Sequence, residues 1–95
     1  ARAITLGEIA RVLNARGEWD EALRILREES LPVFERLGDV RARAITLGQI
    51  ADVLADRGER DRALAMWAEA LAVFEHLRAP DLIAIASQRI SQLQP

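Results

Sequence analysis

The side chains able to do chemistry are scattered along this chain without the partners that chemistry needs. His76 is the single histidine. A catalytic or metal-binding role would need ligands or relay groups one helical turn away, and Ala72, Val73, Ala79 and Pro80 hold those places. The hydroxyls of Thr5, Ser30, Thr46, Ser87 and Ser91 have no histidine within reach of sequence spacing, so no activated nucleophile is visible. Carboxylates are abundant, but they alternate with arginine at helical steps: Glu8 with Arg11, Glu21 with Arg24, Arg24 with Glu28, Glu59 with Arg62. Such spacing predicts solvated ion pairs along helix faces and not acid–base dyads. Cysteine is absent, which removes disulfides, thiolate metal sites and thiol nucleophiles and leaves a reducing, cytoplasmic setting as the expectation. No glycine pattern able to cradle a phosphate is present either, so neither catalytic residues nor a cofactor or metal site is assigned.

Charge excludes two further classes. Thirteen basic residues, all arginine, against fifteen acidic ones give a net charge of −2, too balanced for a dedicated nucleic-acid binder. The densest cations, Arg57, Arg60 and Arg62, are interleaved with Asp56, Glu59 and Asp61, which predicts a local ion-pair cluster. No apolar run reaches the roughly 18 residues of a spanning helix and no secretory leader opens the sequence, so neither membrane nor nucleic acid is an expected partner.

What does organise the chain is repetition. Slid by 41 places, ARAITLGEIARVLNARGEWDEAL (residues 1–23) lies over ARAITLGQIADVLADRGERDRAL (42–64). After a one-residue slip, LPVFERL (31–37) lies over LAVFEHL (71–77), and Ala84, Ile85 and Ile90 fall 40 places after Ala44, Ile45 and Ile50. The 95 residues, 51% of them apolar, therefore divide into repeat one over 1–38, repeat two over 39–79, and a partial third repeat or capping helix over 80–95. A period of this length is that of an array whose units bury their apolar faces against neighbours.

Apolar positions recur at steps of three and four within each unit, as in Leu6, Ile9, Ala10 and Leu13, until Gly17 or Gly58 interrupts. Five helices are expected, near 1–15, 19–37, 40–56, 60–78 and 81–93, in an all-α solenoid of antiparallel hairpins. Asp39 is placed to cap the third helix and Pro80-Asp81 to open the last. Leu23, Leu26, Val33, Phe34 and Leu37, with Leu64, Trp67, Val73, Phe74 and Leu77, are expected to supply the packing surface. Pro32 should kink or open the second helix, whereas Ala72 at the matching place leaves the fourth straight. Gly7 and Gly48, costly inside helices, imply that a neighbouring helix or a bound chain approaches the backbone there. Trp19 suits either a cap on the hairpin turn or an anchor for a partner.

The run Ile9-Ala10-x2-Leu13-x3-Gly17-x-Trp19-x2-Ala22-x3-Leu26 resembles the tetratricopeptide repeat, and Ile50, Ala51, Leu54, Gly58, Ala63 and Trp67 repeat it, with Arg60 in place of the aromatic. The period of about 41 exceeds the standard 34, so the chain is similar to longer-period arrays of bacterial proteins. That resemblance implies a non-enzymatic scaffold whose first helices line a concave face for a peptide or partner helix, within a larger signalling or regulatory protein. Carried over residue by residue, the face comprises Ile4, Gly7, Glu8, Arg11 and Asn14, then Ile45, Gly48, Gln49, Asp52 and Ala55, then Gln88 and Gln92. The units differ at several of these places (Glu8/Gln49, Arg11/Asp52, Asn14/Ala55), as a surface that reads a partner, or one merely solvated, would. A structural alternative is a spacer or homo-oligomerising module, with Leu and Ile of the first hairpin exposed. The sequence opens already inside the helical pattern, as a piece of a longer array or one assembled by design would.

Overall fold

In the computed structural model the backbone is described for residues 3–95 and side-chain surroundings for residues 5–95; within these limits the chain is all helical. α1 is Ala3–Ala15. α2 follows as three continuous segments, α-helical Trp19–Arg24, π-helical Ile25–Ser30 and α-helical Leu31–Leu37. Then come α3 (Val40–Asp56), α4 (Arg60–His76) and α5 (Pro80–Leu93). α1 packs on α2, α3 on α4 and α4 on α5, while α3 lies against α1, the Trp19–Arg24 segment and the π turn.

The corners form where expected. Gly58 takes φ 91°, and the Glu59 amide donates to the Leu54 carbonyl at 2.8 Å, closing the end of α3 with a backbone bond that needs the left-handed residue. Asp39 caps α3, its carboxylate accepting from the Ala42 amide at 3.0 Å. Pro80 is the first residue of α5, one earlier than expected. α4 stops at His76 instead of reaching residue 78, because Arg78 enters the left-handed region at φ 54° and ends the helix with the Ala79 amide bonded back to Phe74.

Pro32 opens α2 as expected, by a specific device. The Leu31 amide donates to the Leu26 carbonyl, five residues back, and Pro32, which has no amide hydrogen to donate, follows directly. A π turn is an α-helix carrying one extra residue. The one-residue slip between the repeats falls in the same stretch: Glu28 lies over Glu69, and buried Ser30 over buried Ala70, so Glu29 is the additional residue. Widening the turn absorbs the roughly 100° by which an extra residue would rotate the rest of the helix. It also changes an ion pair. Arg24 meets Glu29 at 3.0 Å, not Glu28, because the wider turn brings position i+5 onto the same face.

The core joins Leu23, Leu26, Leu47, Ile50, Leu54, Trp67 and Phe74, with the fully buried alanines Ala22, Ala44, Ala63 and Ala70 among them. Leu37 and Leu77, expected in the packing surface, are exposed, since they sit in the last turns before the corners, past the neighbouring helix. Of the apolar positions of α1, Leu6 is buried, whereas Ile9 and Val12 are 41% and 57% exposed. No helix among the described residues is long and apolar enough to cross a membrane.

Candidate functional site

α1, α3 and α5 present one side of the array, and three hollows lie along it. The first, about 460 Å³, is lined by Gly7, Glu8 and Arg11 of α1, Phe34 of α2, and Ile45 and Gln49 of α3, among others. The second, about 180 Å³, shares Gly7, Arg11 and Gln49 with it and adds Asn14, Asp52 and Arg89. The third, about 310 Å³, shares Asn14, Asp52 and Arg89 and continues to Ala55, Trp67 and Gln92. Shared walls make the three a continuous furrow.

Nine of the residues expected on the concave face line it: Gly7, Glu8, Arg11, Asn14, Ile45, Gln49, Asp52, Ala55 and Gln92. Ile4 lies outside the residues whose side chains are described. Gln88 is exposed on α5 but lines none of the three hollows. Gly48 is buried instead, and a Cβ built on it would stand 2.7 Å from two ring carbons of Trp67. Its missing side chain makes room for an indole of the same hairpin, not for a visitor. Gly7 is different: its Cβ would meet the Gln49 side-chain amide at 3.2 Å, so the close approach comes from the next repeat.

Polar contacts stitch the furrow together. The Asn14 side-chain amide donates to Asp56 at 2.9 Å, tying α1 to α3, and Arg89 Nε lies 3.3 Å from Asp52 Oδ1, tying α5 to α3. The Arg89 guanidinium also lies 5.8 Å from the Trp67 ring centroid, within cation–π range. Burial pushes the Asp52 carboxyl above its usual range; the charge of Asp56 adds to the rise and Arg89 opposes it. Arg11 and Glu8, expected to pair with each other, do not, and neither has an opposite charge within 4 Å among the described residues. Both line the first hollow.

Away from the furrow, Arg57 bonds Asp20 and Glu59 at 2.7 Å each, and Arg62 also meets Glu59, as the interleaved charges predicted; Arg60 makes no such pair among the described residues. His76 is exposed at the end of α4. Trp19 is half-buried against the core.

Sequence reasoning missed Arg89 and the wall role of Trp67. For Arg89 a signal existed: the 40-place offset that sets Ile90 over Ile50 also sets Arg89 over Gln49. Trp67 was assigned to the core, where it does lie, 5% exposed, with one side of its ring forming cavity wall.

Stacked helical hairpins with a furrow along their first helices define an α-helical repeat array. The family model described as tetratricopeptide repeat matches residues 1–76, and the chain belongs to that family. Its members generally mediate protein–protein interaction and are typically scaffolds without enzymatic activity. No curated protein and no solved structure gives a significant match.

Proposed function

We propose that this chain is a non-enzymatic scaffold that holds a peptide or partner helix in the furrow across α1, α3 and α5, as part of a larger signalling or regulatory protein acting in the cytoplasm. The observation that carries this reading is that Arg11 and Glu8, beside the apolar side chains of Phe34 and Ile45, meet no opposite charge among the described residues. Arg24, Arg43 and Arg57 meet two carboxylates each, whereas Arg36, Arg60 and Arg78, away from the furrow, pair with none among the described residues, so what distinguishes Arg11 and Glu8 is the apolar floor beside them. Free charges around an apolar floor supply affinity from the floor and orientation from the rim.

Selection of peptides from a displayed random library, followed by affinity measurement, tests this. Arg11→Glu and Asp52→Arg are expected to weaken a selected peptide at least tenfold with helix content unchanged. Unaltered affinity in both variants would remove the furrow from consideration.

A second reading has its own observation. Ile9 and Val12 are exposed, whereas Ile50 and Val53, their counterparts in the second repeat, are 1% and 2% exposed under the preceding hairpin. A second copy could cover the first hairpin in the same way and extend the array. Light scattering over a hundredfold concentration range decides: constant monomer mass rejects this reading, and mass that grows with concentration supports it.

A further inference from the structure

The outer stripe of α1 lies off the furrow and repeats a stripe already used inside the molecule. Thr5, Ile9, Val12 and Arg16 follow one another at steps of four, three and four along one side of the helix. Their counterparts 41 places on are Thr46, Ile50, Val53 and Arg57, the same residue at all four places, although the furrow positions differ at Glu8/Gln49, Arg11/Asp52 and Asn14/Ala55. On α3 the stripe is covered: Thr46, Ile50 and Val53 are buried, and Arg57 reaches across to Asp20 of the first hairpin. On α1 all four residues are exposed. The charges show what is missing there. Arg57 meets Glu59 of its own corner and Asp20 of the preceding hairpin, each at 2.7 Å. Arg16 has the first kind of partner, Glu18 at 3.1 Å, and not the second among the described residues. Asp61, the counterpart of Asp20, is exposed in the first turn of α4 and meets no cation within 4 Å among the described residues. The two hairpins thus carry the separate halves of an ion pair that the chain shows joined at its middle.

Repeating the step that carries the first hairpin to the second sets α1 of another copy against α4, with Arg16 beside Asp61. α5 now holds that place. By the 40-place offset Ala86, Ile90 and Leu93 lie over Thr46, Ile50 and Val53, and all three belong to the core or pack on it. Yet α5 ends at Leu93 and brings Asp61 no arginine, and Ile90 and Leu93 are only half-buried, so α5 fills the place without completing it. We propose that the outer stripe of α1 docks on α4 of a second copy of this chain in place of α5, with Arg16 of one copy pairing with Asp61 of the next. This rests on the self-association reading above and names its two surfaces. Ile9 and Val12 supply the affinity, while the exposed ion pair sets the register more than the strength. The contact joins unlike surfaces, so each added copy offers the same two halves again and the array lengthens beyond a dimer.

Sedimentation equilibrium of the unaltered protein, Arg16→Asp, Asp61→Arg and the two combined tests this, both positions being exposed and so tolerant of change. Each single change sets like charges face to face and should weaken association about three- to tenfold; the double change restores an opposite pair with its sense reversed and should recover the original strength. Ile9→Asp should abolish association. Displacement of α5 has its own readout, because the Arg89 guanidinium leaves the Trp67 ring, from whose centroid it lies 5.8 Å. The two indole NMR signals, assigned with Trp19→Phe, should respond unequally as mass grows, Trp67 moving more. A double change that recovers nothing would overturn the pairing of Arg16 with Asp61. A dimer that grows no further, with the Trp67 signal unmoved, would overturn docking on α4 while leaving the self-association reading standing through another contact of α1. Constant monomer mass in the unaltered protein sinks both.

Discussion

The first hairpin carries an extra residue and a proline in its second helix, whereas the second hairpin runs the matching helix straight from Arg60 to His76. Yet the two helices bury equivalent faces on both sides of the difference: Ala22 and Ala63 before it, Ser30 and Ala70 after it. A local defect in hydrogen bonding preserves the global register, because a π turn takes up the rotation that one residue adds. The hairpins differ again at their ends. Gly38 enters the left-handed region at φ 67° without a side chain, while Arg78, at the same place in the second unit, does so at φ 54° with one. Near-identical sequence thus carries different local strain, and substitutions at matched positions expose it.

The largest contrast lies in the first helices. Ile50→Ala removes a fully buried side chain and should cost about 3–4 kcal/mol, whereas Ile9→Ala at the matched, exposed place should cost under about 1 kcal/mol; urea unfolding of both variants measures the gap. Deleting Glu29 comes next. It forces Pro32 into an α-helical interior, an expected loss of about 3 kcal/mol, or a Tm fall on the order of ten to twenty degrees, most of which adding Pro32→Ala restores. An equal loss with and without Pro32→Ala would break the link between the extra residue and the proline. The helix glycines should differ in sign. Gly48→Ala drives a methyl into the Trp67 ring and should lose about 1–2 kcal/mol despite the better helix propensity, while Gly7→Ala displaces only the flexible end of Gln49 and should gain about 0.5 kcal/mol in thermal unfolding.

Arg78→Gly relieves left-handed strain and should gain up to about 1 kcal/mol by the same assay. Smallest is Asp52→Asn. Burial raises the Asp52 carboxyl above its usual value of 3.8, so its charge costs stability at neutral pH, and that cost is relieved as pH falls through the raised value. The asparagine variant should match or slightly exceed the unaltered protein at pH 7, by no more than about 0.5 kcal/mol, and lose that margin near pH 4.

Much of the fold could be read from the chain because its signals are local. Gly17 and Gly58 mark corners, Asp39 and Pro80 open helices, and the periodic Leu, Ile and Ala positions give five helices and their pairing. Proline predicted an opening in α2, but its form needed a second clue, the slip in repeat register, to be joined to it. Arg78 left no trace, because an arginine says nothing of a left-handed backbone. Leu6 and Ile9 share one helical stripe, and only the placement of the neighbouring helices decides that the first is covered and the second is not. In the furrow, positions at helical spacing on α1 and α3 were legible from repeat correspondence. Gly48 was not separable from Gly7, since the indole that fills its space comes from 19 residues onward in the chain.

Backbone amide shifts on titration with a library-selected peptide test the furrow most directly. Perturbations concentrated at Gly7, Arg11, Asn14, Gln49, Asp52 and Arg89 are the expected result. Perturbations centred on Ile9, Val12, Leu37 and Val40, with the furrow silent, would contradict it.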